Sequence, residues 1–96
     1  MSASLSTHVL DTARGRPASG VRVDLLRGDE QVASVETDRD GRARLADGLD
    51  AGLYRLVFHP PSDFFRRVEL EVELGDGHFH VPLLVSPFAC TMYRGS

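Results

Sequence analysis

The chain has 96 residues, with 11 Arg and no Lys against 14 Asp and Glu, for a formal net charge of -3. This length makes one domain over residues 1–96, burying roughly 60–65% of the surface its unfolded form exposes, so a single small core forms that gains from self-association. Acidic balance and scattered arginines exclude the long-range attraction by which phosphate backbones are bound, and no nucleic-acid partner is expected.

A single cysteine, Cys90, excludes an intrachain disulfide and leaves packing and hydrogen bonds to hold the fold, as is usual in a reducing compartment. Met1 to Ser6 lack a basic start followed by an apolar run. No apolar stretch approaches the roughly 20 residues that span a bilayer. Neither secretion nor a membrane partner is expected, and the cytoplasm is the default location.

In chain order, the opening segment Leu5-Ser6-Thr7-His8-Val9-Leu10-Asp11 carries one histidine and is followed by the turn signals Arg14-Gly15-Arg16-Pro17 and Ala18-Ser19-Gly20. Val21, Val23 and Leu25 then alternate at the period of a half-buried strand. After Arg27-Gly28-Asp29, Val32 and Val35 continue the alternation with a slip. Asp38-Arg39-Asp40-Gly41 marks the next turn, Asp47-Gly48 another, and Ala46 to Ala51 has room for one helical turn. Leu53 to His59 is a more continuous β-prone run, ended by His59-Pro60-Pro61-Ser62-Asp63. Val68-Glu69-Leu70-Glu71-Val72-Glu73-Leu74 puts four aliphatics on one face and three glutamates on the other. Gly75-Asp76-Gly77 separates it from the apolar run Phe79 to Ser86. No segment of helical length has a 3.6 period. Seven or eight short strands at this spacing predict an all-β sandwich, without repeat, linker or internal boundary.

His78 and His80 lie two apart on a predicted strand and share a face, with Phe79 and Val81 on the other. Three uses are open to them. With His8 they make a possible three-histidine zinc set; as imidazoles titrating near neutrality they suit proton transfer; or they are structural. Arg42, just after Asp40-Gly41, is positioned either to grip a planar anionic or imide-like group through paired hydrogen bonds or to stand in solvent at a turn. Tyr93 is a rim aromatic or a ligand contact, Arg94 a carboxylate partner or a solvated charge. Ser96 brings a terminal carboxylate. Ser4 and Ser6 lack a Gly-x-Ser-x-Gly elbow, no glycine-rich phosphate loop is present, and Cys90 has no flanking base. Asp63, Glu69, Glu71 and Glu73 read as a solvated face, and Phe64 and Phe65 as core or interface.

These residues converge on a family. The uninterrupted run His8-Val9-Leu10-Asp11-Thr12-Ala13-Arg14-Gly15-Arg16-Pro17-Ala18-Ser19-Gly20-Val21-Arg22-Val23, with Thr37-Asp38-Arg39-Asp40-Gly41-Arg42, Gly52-Leu53-Tyr54-Arg55-Leu56-Val57-Phe58, His78-Phe79-His80-Val81-Pro82-Leu83-Leu84-Val85-Ser86-Pro87-Phe88 and Tyr93-Arg94-Gly95-Ser96, resembles the transthyretin-like 5-hydroxyisourate hydrolases. The resemblance implies a two-sheet, eight-stranded sandwich that pairs into dimers and stacks into a homotetramer, a dimer of dimers with active sites at the dimer-dimer interface. It implies hydrolysis of 5-hydroxyisourate to 2-oxo-4-hydroxy-4-carboxy-5-ureidoimidazoline in urate degradation, with no cofactor and no metal. His8, Arg42, His80 and Ser96 are the expected catalytic residues, and His8, Arg42, Tyr93, Arg94 and Gly95 the expected substrate contacts. His78 fits the motif but lies outside the usual catalytic set. The competing expectation is a transthyretin-like carrier or interaction domain without turnover. Ala89 and Cys90 depart from the usual Gly or Ser followed by an aromatic. The stretch from Phe58 to His78 is shorter than the family's, so its short helix is expected to be reduced or lost.

Overall fold

A computed structural model describes residues 2–96, and every regular element in them is a strand. In chain order these are β1 (Ala3–Asp11), β2 (Arg16–Pro17), β3 (Arg22–Arg27), β4 (Glu30–Glu36), β5 (Arg42–Leu49), β6 (Gly52–His59), β7 (Val68–Leu74), β8 (Gly77–Ser86) and β9 (Ala89–Met92). They form two sheets. One has the order β2-β1-β8-β9, with β5 also pairing β1; the other has the order β4-β3-β6-β7. The eight-stranded sandwich expected from the sequence is present, with the two-residue β2 as a short addition and no helix among the described residues.

Alternation explains how the sheets face each other. Along β1, Ala3, Leu5, Thr7 and Val9 are buried, while Ser4, Ser6 and His8 point to the other side. From the opposing sheet Val23, Leu25, Leu56 and Phe58 meet them, and Leu83 and Val85 of β8 complete the core. β7 keeps Glu69, Glu71 and Glu73 exposed while Val68, Leu70 and Val72 pack partly against that core.

Two irregularities account for departures from simple alternation. The slip between Val32 and Val35 is a bulge: Leu25 pairs with Ala33 but Leu26 with Gln31, which turns Val32 outward. The helical turn expected over Ala46 to Ala51 does not form. β5 instead runs through to Leu49, and its pairing with β1 passes from Ala3↔Leu49 to Leu5↔Ala46, so the extra residue of Asp47-Gly48 is absorbed as a bulge. Gly48 supplies the positive φ of 65° and Arg44 pairs with Asp47 across the bend. A turn-forming dipeptide serves a bulge equally well. Phe64 and Phe65 are not core: Phe64 is 63% exposed and meets Phe65 and Phe88 edge to face outside the sandwich.

Phe58 is the largest fully buried side chain among the described residues, and in a close-packed core its truncation leaves a cavity. Phe58→Ala is expected to lower stability by about 3–5 kcal/mol, read as a reduced denaturant midpoint with an unchanged slope.

Candidate active site

The site is assembled by strand register. β1 and β8 run parallel, setting Ser4 beside His78, Ser6 beside His80 and His8 beside Pro82. β5 runs antiparallel on the opposite edge of β1, setting Arg44 beside Ser6 and Arg42 beside His8. Because Leu5, Thr7 and Val9 face the core, the intervening Ser6 and His8 face outward with His78, His80, Arg42 and Arg44. Three strands remote in sequence therefore present two of the expected histidines and the expected arginine on one outer sheet face.

The turn before β5 aims this group. The Asp38 carboxylate accepts hydrogen bonds from the backbone N–H of Asp40 (2.9 Å) and of Arg42 (3.0 Å). These bonds, the one from Arg42 foremost, hold its pKa below the usual carboxylate value. Gly41 takes φ 76° and its carbonyl accepts from Val9 N–H at 2.7 Å; a Cβ there would overlap the Val9 carbonyl oxygen. His8 donates from Nε2 to the Asp40 carbonyl at 2.9 Å. The same turn thus anchors both His8 and the first residue of β5.

The chain end closes the other side. After β9, Gly95 N–H donates to the His80 carbonyl at 2.7 Å, forming an isolated bridge. A Cβ on Gly95 would lie 2.8 Å from His80 Cδ2 and 3.4 Å from Pro82 Cγ, so only glycine lets the tail lie on the imidazole. An open pocket of about 380 Å³ results, with Arg42, Arg44, His80, Asp38, Ser6 and Ser96 among its lining residues. Tyr93 and Arg94 leave in another direction within this chain. They border a separate groove of about 330 Å³ with Phe79 and Met92, and the Arg94 guanidinium lies 4.5 Å over the Phe79 ring. Arg94 therefore has a cation–π partner, a role outside the two weighed for it from sequence.

His80 is half-buried, and its Nδ1 lies 2.8 Å from Ser6 Oγ. Burial foremost, then the charges of Arg42, His8 and His78, push its pKa below 6.5. Its neutral, basic form is the one present at neutral pH. The three-histidine zinc set does not match this geometry: Ser6 Oγ stands between His78 and His80 and His8 is turned to Asp40. No group of three His, Cys, Asp or Glu side chains is arranged to hold a metal among the described residues. Sequence reasoning missed Asp38, Ser6 and Arg44. The Asp38-Arg39-Asp40-Gly41 turn was visible, and the bond from Arg42 N–H to Asp38 is local to it, whereas the pairing of Ser6 with both His80 and Arg44 depends on tertiary register.

The fold and this pocket define a transthyretin-like β-sandwich carrying a His–Arg–His cluster on its outer sheet face. Residues 5–95 match the HIUase/Transthyretin family, and the chain belongs to it. It is 42% identical to 5-hydroxyisourate hydrolase 2 of Rhizobium meliloti (strain 1021), covering 99% of this chain and 98% of that one. It is 44% identical to the 5-hydroxyisourate hydrolase of Deinococcus radiodurans over 96% of this chain and 95% of that protein. The solved structure of Klebsiella pneumoniae 5-hydroxyisourate hydrolase superimposes with a TM-score of 0.89 at 37% identity, covering 98% and 99% of the two chains. The Rhizobium alignment spans 118 positions against 96 residues here, so that relative carries segments this chain lacks.

The depressed His80 pKa has a measurable consequence. Followed through its ring C–H resonances, His80 should titrate with a midpoint below 6.5, and Arg42→Ala should move that midpoint upward by removing a nearby positive charge. A midpoint at or above 6.5 in the intact protein would contradict the environment described.

Proposed function

We propose that the chain hydrolyses 5-hydroxyisourate to 2-oxo-4-hydroxy-4-carboxy-5-ureidoimidazoline, a step of urate degradation, without a cofactor. One observation carries the reading: Arg42 and His80 line one pocket, with His8 beside Arg42 on the same sheet face, in a chain 42–44% identical over nearly its full length to 5-hydroxyisourate hydrolases.

The chemistry follows from the groups present. His80 takes a proton from water at Nε2, because its Nδ1 is engaged by Ser6. The hydroxide formed attacks a carbonyl carbon of the six-membered ring. Arg42 clamps the substrate and stabilises the charge that develops on the carbonyl oxygen, and the proton held by His80 passes to the ring nitrogen as the C–N bond breaks. A general base contributes about 10²–10⁴-fold and an electrostatic donor a similar factor. His8 binds the substrate beside Arg42. Gly95 and Ser96 close the pocket over His80, and Tyr93 and Arg94 reach substrate at a subunit interface.

That last role requires an assembly. The active form is a homotetramer, a dimer of dimers of single-domain chains, working in the cytoplasm. Edge strand β9, paired only with β8, and the exposed Leu53, Phe64 and Phe88 support association. No described helix is long and apolar enough to cross a membrane.

Arg42→Ala is expected to lower kcat/KM for 5-hydroxyisourate by about 10²-fold or more while leaving the thermal midpoint nearly unchanged, since the side chain serves the pocket and not the core. An unchanged specificity constant contradicts the assigned role. Removal of Tyr93 to Ser96 should act similarly; a truncated protein with the full rate would show that the tail takes no part.

A further inference from the structure

Beside the proposed base lies a chain of hydrogen bonds of which the hydrolytic reading uses only the last, from Ser6 to His80. Ser4 Oγ is 2.6 Å from His78 Nδ1, His78 Nε2 is 3.0 Å from Ser6 Oγ, and Ser6 Oγ is 2.8 Å from His80 Nδ1. The parallel register of β1 and β8 creates it, pairing Ser4 with His78 and Ser6 with His80 on the outward face. His78 and Ser4 lie at the exposed end and His80 at the half-buried end.

A serine hydroxyl has one proton, and Ser6 Oγ meets two imidazoles. With both rings neutral, it can donate to only one of them, so His78 and His80 cannot both offer it a lone pair and their tautomers are coupled. In one arrangement His80 Nδ1–H donates to Ser6, Ser6 O–H donates to His78 Nε2, and His78 Nδ1–H donates to Ser4. His80 Nε2 then carries a lone pair. In the reverse arrangement Ser4 donates to His78, His78 to Ser6 and Ser6 to His80 Nδ1, which leaves Nε2 protonated and unable to act as a base. Among the described residues Nε2 of His80 has no hydrogen-bond partner to anchor a proton there; of the charged side chains lining the pocket it borders, Arg42 and Arg44 favour a lone pair over an N–H, and the Asp38 carboxylate is taken up by the backbone N–H of Asp40 and Arg42.

We propose that Ser6 and His78 are positioning residues that hold His80 in its Nδ1–H tautomer, so that Nε2 is the basic nitrogen offered to substrate water. The proposal rests on the hydrolase reading for its catalytic meaning, but not for the tautomer itself. During turnover, Nε2 accepts the water proton while Nδ1–H stays on Ser6; the positive charge of the imidazolium is shared with the dipole of the serine hydroxyl. Returning that proton from Nε2 to the leaving nitrogen restores the starting tautomer, so the Ser4–His78–Ser6 chain needs no rearrangement in the cycle.

The test combines nitrogen-15 NMR of the histidine rings with kinetics on the full chain. At about pH 8, where an ordinary imidazole is neutral, His80 should show a protonated Nδ1 and an unprotonated Nε2. In Ser6→Ala it should move toward the Nε2–H form, and kcat should fall about tenfold with KM within about twofold, since a misplaced tautomer disables the base without removing a binding group. Ser6→Thr, which keeps the hydroxyl, should restore both the tautomer and kcat. His78→Phe should weaken the preference in the same direction. A wild-type His80 protonated at Nε2, or an Nδ1–H form that persists in Ser6→Ala, overturns the proposal; so does a Ser6→Ala protein whose tautomer shifts while kcat is unchanged. A wild-type protein with no hydrolytic rate but the tautomers stated would instead overturn the hydrolase reading and leave the lock intact.

Discussion

Parallel pairing of the first long strand with the second-last is the constraint on which the rest of this molecule depends. Nine consecutive residues of β1, from Ala3 to Asp11, pair with Gly77 to Val85 of β8. That ladder buries Leu5 and Val9 against Leu83 and Val85 on one side and, by the same alternation, sets Ser6 beside His80 on the other. A shift of one residue would turn the histidines inward and the aliphatics outward. Core packing and site geometry are therefore enforced by a single register, and the hydrophobic core guards the position of polar groups it never touches.

Around this ladder the site is tightened at two places where backbone must approach backbone or ring. Gly41 lets the turn before β5 lie against Val9, which brings Arg42 level with His8. Gly95 lets the tail lie on the His80 ring and hydrogen-bond its carbonyl. Neither glycine is needed for the sandwich as such. Both permit contacts that a Cβ would prevent, and the resulting pocket surrounds His80 with enough protein to depress its pKa while leaving one ring nitrogen free.

Much of the sandwich was legible because alternation reports directly on which face is buried: the β7 glutamates and the inward residues of β3 read as they fold. His8, Arg42 and His80 became candidates through the family's motifs, and the chain's membership in that family agrees with the resemblance. Other features depend on tertiary partners. Asp47-Gly48 carries the same local preferences for a turn and for a bulge, and pairing with β1 decides between them. Ser6 looks like any outward serine of a strand until β8 brings two imidazoles to its hydroxyl. Arg94 found an aromatic partner, Phe79, that no spacing along the chain foretells.

The central claim is that two sheet-borne imidazoles and one arginine suffice for hydrolysis without a metal. Its most direct test is the ultraviolet decay of 5-hydroxyisourate freshly generated by urate oxidase, followed with and without this protein after exhaustive chelator treatment. The account predicts decay well above the spontaneous rate, undiminished by the chelator. Decay at the spontaneous rate, or a rate that returns only when a metal is restored, would contradict it.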